Sequence, residues 1–231
     1  MKQLMIFLFA ISITAVACSQ KSGGAVKKKD NDILTIDQYI KGKPYNQFAV
    51  ATFAGGCFWC TEASFERIQG VKDVISGYSG GPEQHPTYQE VGSGMTKHAE
   101  AIQIFYDPQE VSFQTLLEVF FVAHDPTQLN RQGPDVGPQY RSAIYYHNEE
   151  QKQETDAYIK KLNESGKFSK SIVTEVSPYQ EFWVAEAYHQ DYYEHHPENS
   201  YIRNVSRPKV EKVEKTFSDI LKPKYRAGAG K

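Results

Sequence analysis

The stretch Gln47-Phe48-Ala49-Val50-Ala51-Thr52-Phe53-Ala54-Gly55-Gly56-Cys57-Phe58-Trp59-Cys60 reads as a strand, a corner and the first turn of a helix. Its first half is a short apolar run suited to a buried strand. Beyond it, Thr61 to Ile68 carries apolar residues at helical spacing, with Phe58, Phe65 and Ile68 on one side. The paired glycines supply the corner. A cysteine at such a corner faces unpaired backbone N–H groups and the positive end of the helix dipole, so Cys57 is expected to favour the thiolate relative to the ordinary value of about 8.5. That makes Cys57 the candidate nucleophile. Spacing alone leaves other readings open: a structural disulfide, half of a zinc site, or two packed thiols. Zinc is disfavoured because no second cysteine pair follows, and a staple closing so short a loop restricts the unfolded chain little. Phe58 and Trp59 add an apolar wall beside the sulfur.

The chain has 231 residues, 40% hydrophobic and 13% aromatic, enough to bury one sizeable core. Its formal net charge of −2 and its scattered basic residues give no general pull toward nucleic acid or a membrane surface. Three cysteines exclude a disulfide-dense scaffold. The first of them belongs to the leader. Lys2 precedes an apolar run from Leu4 to Val16, too short for a membrane span and suited to a secretory signal. Ala15-Val16-Ala17-Cys18 closes it in a pattern resembling a bacterial lipobox, although leucine is commoner where Ala15 stands; an ordinary cleavable signal with an incidental cysteine is the other reading. The organisation expected is a lipoprotein signal over 1–18 with Cys18 acylated, a tether over 19–45, a catalytic domain over 46–206 and a charged tail over 207–231. This places the domain outside the cytoplasm in a bacterial cell envelope, held to the membrane through the lipid alone.

Within the domain, Ser112 caps a helix that puts Phe113, Leu116, Leu117, Phe120 and Phe121 on one face. Asn148-Glu149-Glu150-Gln151 opens a more polar helix ending near Gly166. Arg141 to Tyr146 and Ile172 to Val176 read as strands, Ala185 to His195 as a helix stopped by Pro197, and paired strands are expected between Val71 and Tyr106. Alternating strands and helices predict an α+β two-layer sandwich around a ferredoxin-like unit. The Lys/Glu-rich tail, with Val210, Val213 and Phe217 at helical spacing, is expected to pack loosely or fray.

His98 to Tyr106 alternates, so Glu100 shares its face with Ile102, Ile104 and Tyr106. Desolvation there raises a carboxyl pKa and suits it to acid catalysis near neutral pH; a solvated glutamate at a frayed strand end is the other reading. Asp135 lies in a Gly/Pro-rich loop, where stabilising a turn is its ordinary use. Tyr88 and Tyr140 are phenols at element ends, suited to packing or to donating a hydrogen bond to a ligand.

Gly-Cys-Phe-Trp at 56–59, Gly77-Tyr78-Ser79-Gly80-Gly81, Pro86-Thr87-Tyr88-Gln89-Glu90-Val91, His98-Ala99-Glu100-Ala101, His124-Asp125-Pro126-Thr127 and Gln139-Tyr140-Arg141-Ser142 together resemble the A-type peptide methionine sulfoxide reductases. The resemblance runs from about residue 47 to 205. It implies reduction of methionine (S)-sulfoxide, free or in oxidised proteins, with no cofactor and no metal, and recycling by a thioredoxin-like reductant. It further implies Cys57 as nucleophile, Glu100 as acid, Tyr88, Asp135 and Tyr140 as polar support around the sulfoxide oxygen, and Phe58 and Trp59 around the terminal methyl. The chain departs from the family pattern in two ways. Many members carry resolving cysteines in the tail, near where Tyr201-Ile202-Arg203 stands, and here no cysteine follows Cys60. Cys60 itself replaces the usual glycine, which makes it the internal candidate for resolving a Cys57 sulfenic acid. A metal-binding reading competes: ferredoxin-like metallochaperones place Cys-x-x-Cys at this same corner, and thiolates suit monovalent copper. Phe58-Trp59 crowds the opening that metal transfer would need. A structural lipoprotein with incidental thiols leaves the other motifs unexplained. The histidines of Tyr188 to His196 read as solvated helix groups, with His189 as a support behind the site.

Overall fold

In the computed structural model, which describes residues 33–226, a six-stranded mixed sheet carries the protein. The chain enters through a five-residue helix α1 (Ile36–Ile40) and then forms β1 (Ala49–Gly55), α2 (Phe58–Glu66) and β2 (Val71–Ser79). A short α3 (Tyr88–Gly92), β3 (Ala99–Tyr106) and α4 (Phe113–Ala123) follow. A two-residue hairpin, β4 (Arg131–Gln132) with β5 (Asp135–Val136), leads to β6 (Ser142–Tyr146), the long surface helix α5 (Glu149–Glu164), β7 (Glu175–Pro178) and β8 (Phe182–Val184). The sheet order is β7-β6-β1-β3-β2-β8, and its inner four strands are antiparallel throughout. The order β6-β1-β3-β2, with α2 and α4 as the two crossovers, is the ferredoxin-like unit expected from the sequence.

Strand β3 is buried on both faces, and its alternation separates two cores. Ile102, Ile104 and Tyr106 face α2 and α4, where Phe53 of β1 packs on Phe65 at 5.6 Å and on Phe120 at 4.9 Å between ring centroids. Burying each such ring contributes roughly 1.5–3 kcal/mol, so this aromatic stack is what fixes α2 and α4 on the sheet. Ala99, Ala101 and Phe105 face the other way, toward Ile36 and Phe182. Neither core contains a methionine side chain, and Met95, 66% exposed, is the sole methionine among the described residues.

Three expectations are corrected. The segment 33–45 is not tether: Ile33 and Ile36 are buried, Thr35 bridges to Trp183, and the Val184 N–H donates to the Leu34 carbonyl at 2.9 Å. Residues 19–32 and Cys18 lie outside the described residues. The segment 185–195 is not one helix. A 3₁₀ turn (Ala187–His189) and a four-residue α6 (Tyr192–His195) are separated by Asp191 in the left-handed region at φ 55°. Tertiary bonds win over periodicity there: the Gln190 amide accepts from the Ser76 N–H and donates to the Ser76 and Ala185 carbonyls.

The charged tail does not fray either. After a π-helical turn (Ile202–Ser206), α7 (Arg207–Thr216) packs on α2 and α4 with Val210 and Val213 fully buried. Arg67 at the end of α2 pins it by a salt bridge to Glu214 at 2.6 Å and holds α6 by another to Glu194 at 3.0 Å. Leu221 then pairs with Ile68.

Candidate active site

The corner between β1 and α2 is built as the sequence suggests. Gly56 sits at φ +91°, and a Cβ there would meet the Gln132 side chain at 2.6 Å, so both backbone conformation and space require glycine. Cys57 is the N-cap of α2. The first N–H of the helix, that of Phe58, donates to the Glu100 carboxyl at 3.0 Å. Glu100 reaches it from the start of β3, because β3 lies directly beside β1.

Seven side chains named from the sequence, Cys57, Phe58, Trp59, Tyr88, Glu100, Asp135 and Tyr140, line one cavity of about 370 Å³. Cys60 does not line it. One helical turn behind Cys57, its Sγ lies in hydrogen-bond contact with Ser206 Oγ at 3.1 Å, and the Lys209 ammonium stands 4.0 Å away. The cavity also has walls that the sequence did not single out: Asn199, Ser200 and above all Tyr201, whose hydroxyl donates to Asp135 at 2.5 Å. Asp135 is therefore more than a turn residue; it starts β5 and binds a phenol 66 positions away. No local signal marks Tyr201, since its partner is remote and the surrounding segment lacks apolar period.

The aromatic wall is fixed from behind. The Trp59 indole N–H donates to His189 Nδ1 at 3.1 Å, and its ring stacks on Tyr192 at 3.9 Å and 12°. Burial pushes the His189 imidazole down to about 4, so it is neutral and carries its proton on Nε2 while Nδ1 accepts. Tyr88 packs on His189 at 4.2 Å and stacks with Phe58 at 6.3 Å. Its backbone N–H donates to Glu186, which also accepts from the Tyr78 hydroxyl.

Charge in the cavity follows desolvation. Burial pushes the Glu100 carboxyl up to about 8; the Phe58 N–H opposes this, and negative charge on Asp135 or Cys60 adds to it. The carboxyl is thus protonated at neutral pH. Burial raises Tyr88 and Tyr140 as well, with the Glu100 charge second, so both phenols stay donors. Cys57 departs from the expectation of a lowered pKa. Its burial raises it, reinforced by the hydrogen bond it gives Cys60, and these outweigh the helix terminus. Cys60 is drawn down to about 7, first by that hydrogen bond and then, against its own burial, by Lys209 and Ser206. The two thiols titrate together, with the proton held more tightly on Cys57 than on Cys60. Among the described residues no three His, Cys, Asp or Glu side chains group as a metal ion would require.

The peptide methionine sulfoxide reductase family model matches residues 49–221, from the first strand to the segment paired with Ile68. The chain belongs to this family, in its A type. It is 54% identical over 171 residues to the peptide methionine sulfoxide reductase MsrA of Haloquadratum walsbyi, covering 74% of this chain and 97% of the relative. To the MsrA of Thermus thermophilus it is 51% identical over 174 residues, covering 75% and 98%. The solved methionine sulfoxide reductase A of Corynebacterium diphtheriae superposes with a TM-score of 0.60 at 35% identity, covering 68% of this chain and 78% of that one. The protein is accordingly a peptide-methionine (S)-S-oxide reductase, an oxidoreductase of protein repair, on an α+β fold.

Proposed function

We propose that Cys57 takes the oxygen from methionine (S)-sulfoxide and that Cys60 then resolves the resulting sulfenic acid, so that the whole thiol cycle runs inside the first turn of α2. The observation that carries this reading is the placement of a nucleophilic sulfur and a protonated, buried carboxyl on one wall-lined cavity of about 370 Å³, with the second thiol directly behind.

A sulfoxide sulfur resists attack until its oxygen is protonated or strongly hydrogen-bonded. Glu100 supplies the proton, and Tyr88 and Tyr140 donate hydrogen bonds to the same oxygen. Phe58 and Trp59 enclose the methyl and exclude water. Cys57 attacks as its own proton passes to Cys60 along the hydrogen bond between them, methionine leaves, and Cys57 retains the oxygen as a sulfenic acid. Cys60 condenses with it to a disulfide and water. A thioredoxin-like dithiol then restores both thiols by exchange. The substrates are free methionine sulfoxide and oxidised proteins reached from a lipid anchor at Cys18, on the outer side of a bacterial cytoplasmic boundary.

The test is a quenched single turnover with separated S and R epimers of a methionine sulfoxide peptide. Wild type should turn over the S epimer alone and lose both thiols. Cys57→Ser should release no methionine, because no sulfur remains on the cavity wall to attack. Cys60→Ser should release one per enzyme and stop at the sulfenic level. Normal recycling of Cys60→Ser by a dithiol, with no Cys57–Cys60 disulfide in wild type, would show that Cys57 acts alone.

A further inference from the structure

The family pattern puts resolving cysteines on the tail after the catalytic domain, and in this chain that same tail is a π-turn followed by α7, packed against α2. Wide π-turns shift the following helix by one residue's rotation and recur at functional positions. Here the turn ends on Ser206, fully buried with its hydroxyl 3.1 Å from Cys60 Sγ, and the next turn of helix delivers Lys209 to 4.0 Å from the same sulfur. Among the described residues no carboxylate lies within salt-bridge distance of Lys209. Its charge is unspent except on Cys60.

We infer that Lys209 is a positioning residue for the second half of the reaction: its ammonium, with the Ser206 hydroxyl, holds Cys60 as the thiolate that attacks oxidised Cys57. This rests on the reading of Cys60 as resolver. In the step, the Cys60 thiolate attacks Cys57 Sγ, the S–S bond forms and the S–O bond breaks. The proton that Cys60 received from Cys57 in the first step passes to the departing hydroxide, which leaves as water. Cys57 is reduced from the sulfenic to the disulfide level while Cys60 is oxidised to it, so no outside oxidant or reductant is needed.

The groups facing Cys60 divide by sign. Cys57 and Glu100 stand on the cavity side, Asp135 and Tyr201 beyond them, and all four can only add negative charge when ionised. Lys209 is the counterweight. It half-emerges into a separate cleft of about 490 Å³ beside His124, Asp125 and Lys212, where Asp125 is already bound by Thr127 and Gln128 and burial keeps His124 neutral. An opposite charge 4–6 Å away lowers a thiol pKa by about 1–3 units. A fixed cation thus stands beside the internal thiol.

Lys209→Met keeps the buried stem and removes the charge; Lys209→Arg keeps the charge. Single-turnover mixtures sampled across pH, with methionine release and thiol loss read separately, decide the matter. In Lys209→Met the lag between methionine release and disulfide formation should lengthen about tenfold near pH 7 and shrink as pH rises by about one unit or more, with Lys209→Arg restoring most of the rate. In a Cys57→Ser background, the thiolate absorbance of Cys60 should shift upward by the same amount in Lys209→Met, a readout that loss of packing would not produce. If wild type forms the disulfide but Lys209→Met forms it as fast across pH, the lysine has no such role while Cys60 remains the resolver. If wild type forms no Cys57–Cys60 disulfide, the resolver reading falls and this inference with it.

Discussion

Glu100 shows how one carboxyl is made an acid at neutral pH. It is buried, and its one backbone donor is the N–H of Phe58, a bond that favours the charged form but is too little to offset desolvation. Glu100→Gln keeps the shape and the acceptor while removing the proton, so the reductase step should slow about a hundredfold, read as methionine release in single turnovers. The same burial ties this residue to stability. Its folded pKa of about 8 lies above the unfolded 4.5, so the native state holds an extra proton between those values and Glu100's contribution is lost as pH rises through the window. Wild type should therefore lose stability relative to Glu100→Gln on going from pH 5 to pH 9, by about 1.4 kcal/mol per unit crossed. Parallel urea melts of the two proteins measure it, and a constant difference across pH would mean that the carboxyl is solvated. The alternation of Ile102, Ile104 and Tyr106 made this burial legible from sequence alone. Tyr201 was not legible, because its bond to Asp135 exists only once the hairpin and the C-terminal segment meet.

At the scale of elements, local pattern and remote contact sort what could be read. The β1–corner–α2 unit, the antiparallel β2–β3 pair and the amphipathic α4 carry their own periodicity, and all three stand where the pattern placed them. Helices α1 and α7 do not. Each sets a few apolar side chains among Lys, Glu, Asp or Gln, and only the waiting surfaces of the sheet and of α2 and α4 make that small number sufficient. Composition therefore read as tether and fraying tail. The test of α7's docking lies in its continuation: Leu221, 2% exposed and paired with Ile68, should cost about 2–4 kcal/mol when replaced by alanine, seen as a lower urea midpoint with unchanged slope. A loss within half a kcal/mol would mean that the tail is held by Arg67 and Val213 alone.

For the molecule as a whole, the domain and the segment before it pose separate questions. The leader's Ala15-Val16-Ala17-Cys18 pattern carries the expectation of a lipid anchor, checked by mass spectrometry of the membrane fraction; a mature N-terminus other than acylated Cys18 would remove it. The domain's composition speaks to its working conditions. Thioethers are flexible gap-fillers in most cores, and oxidation turns them into polar sulfoxides that disrupt packing. This interior is filled by rings and branched aliphatics instead, with Met95 left outside. Peroxide that damages its substrates finds no such weak point in the interior of the described residues: a Cys57→Ser, Cys60→Ser double variant, oxidised until Met95 is fully converted, should melt within about 1 °C of its untreated form. The machine that mends sulfur is thus framed in carbon, and needs no second copy of itself to keep its own fold in repair.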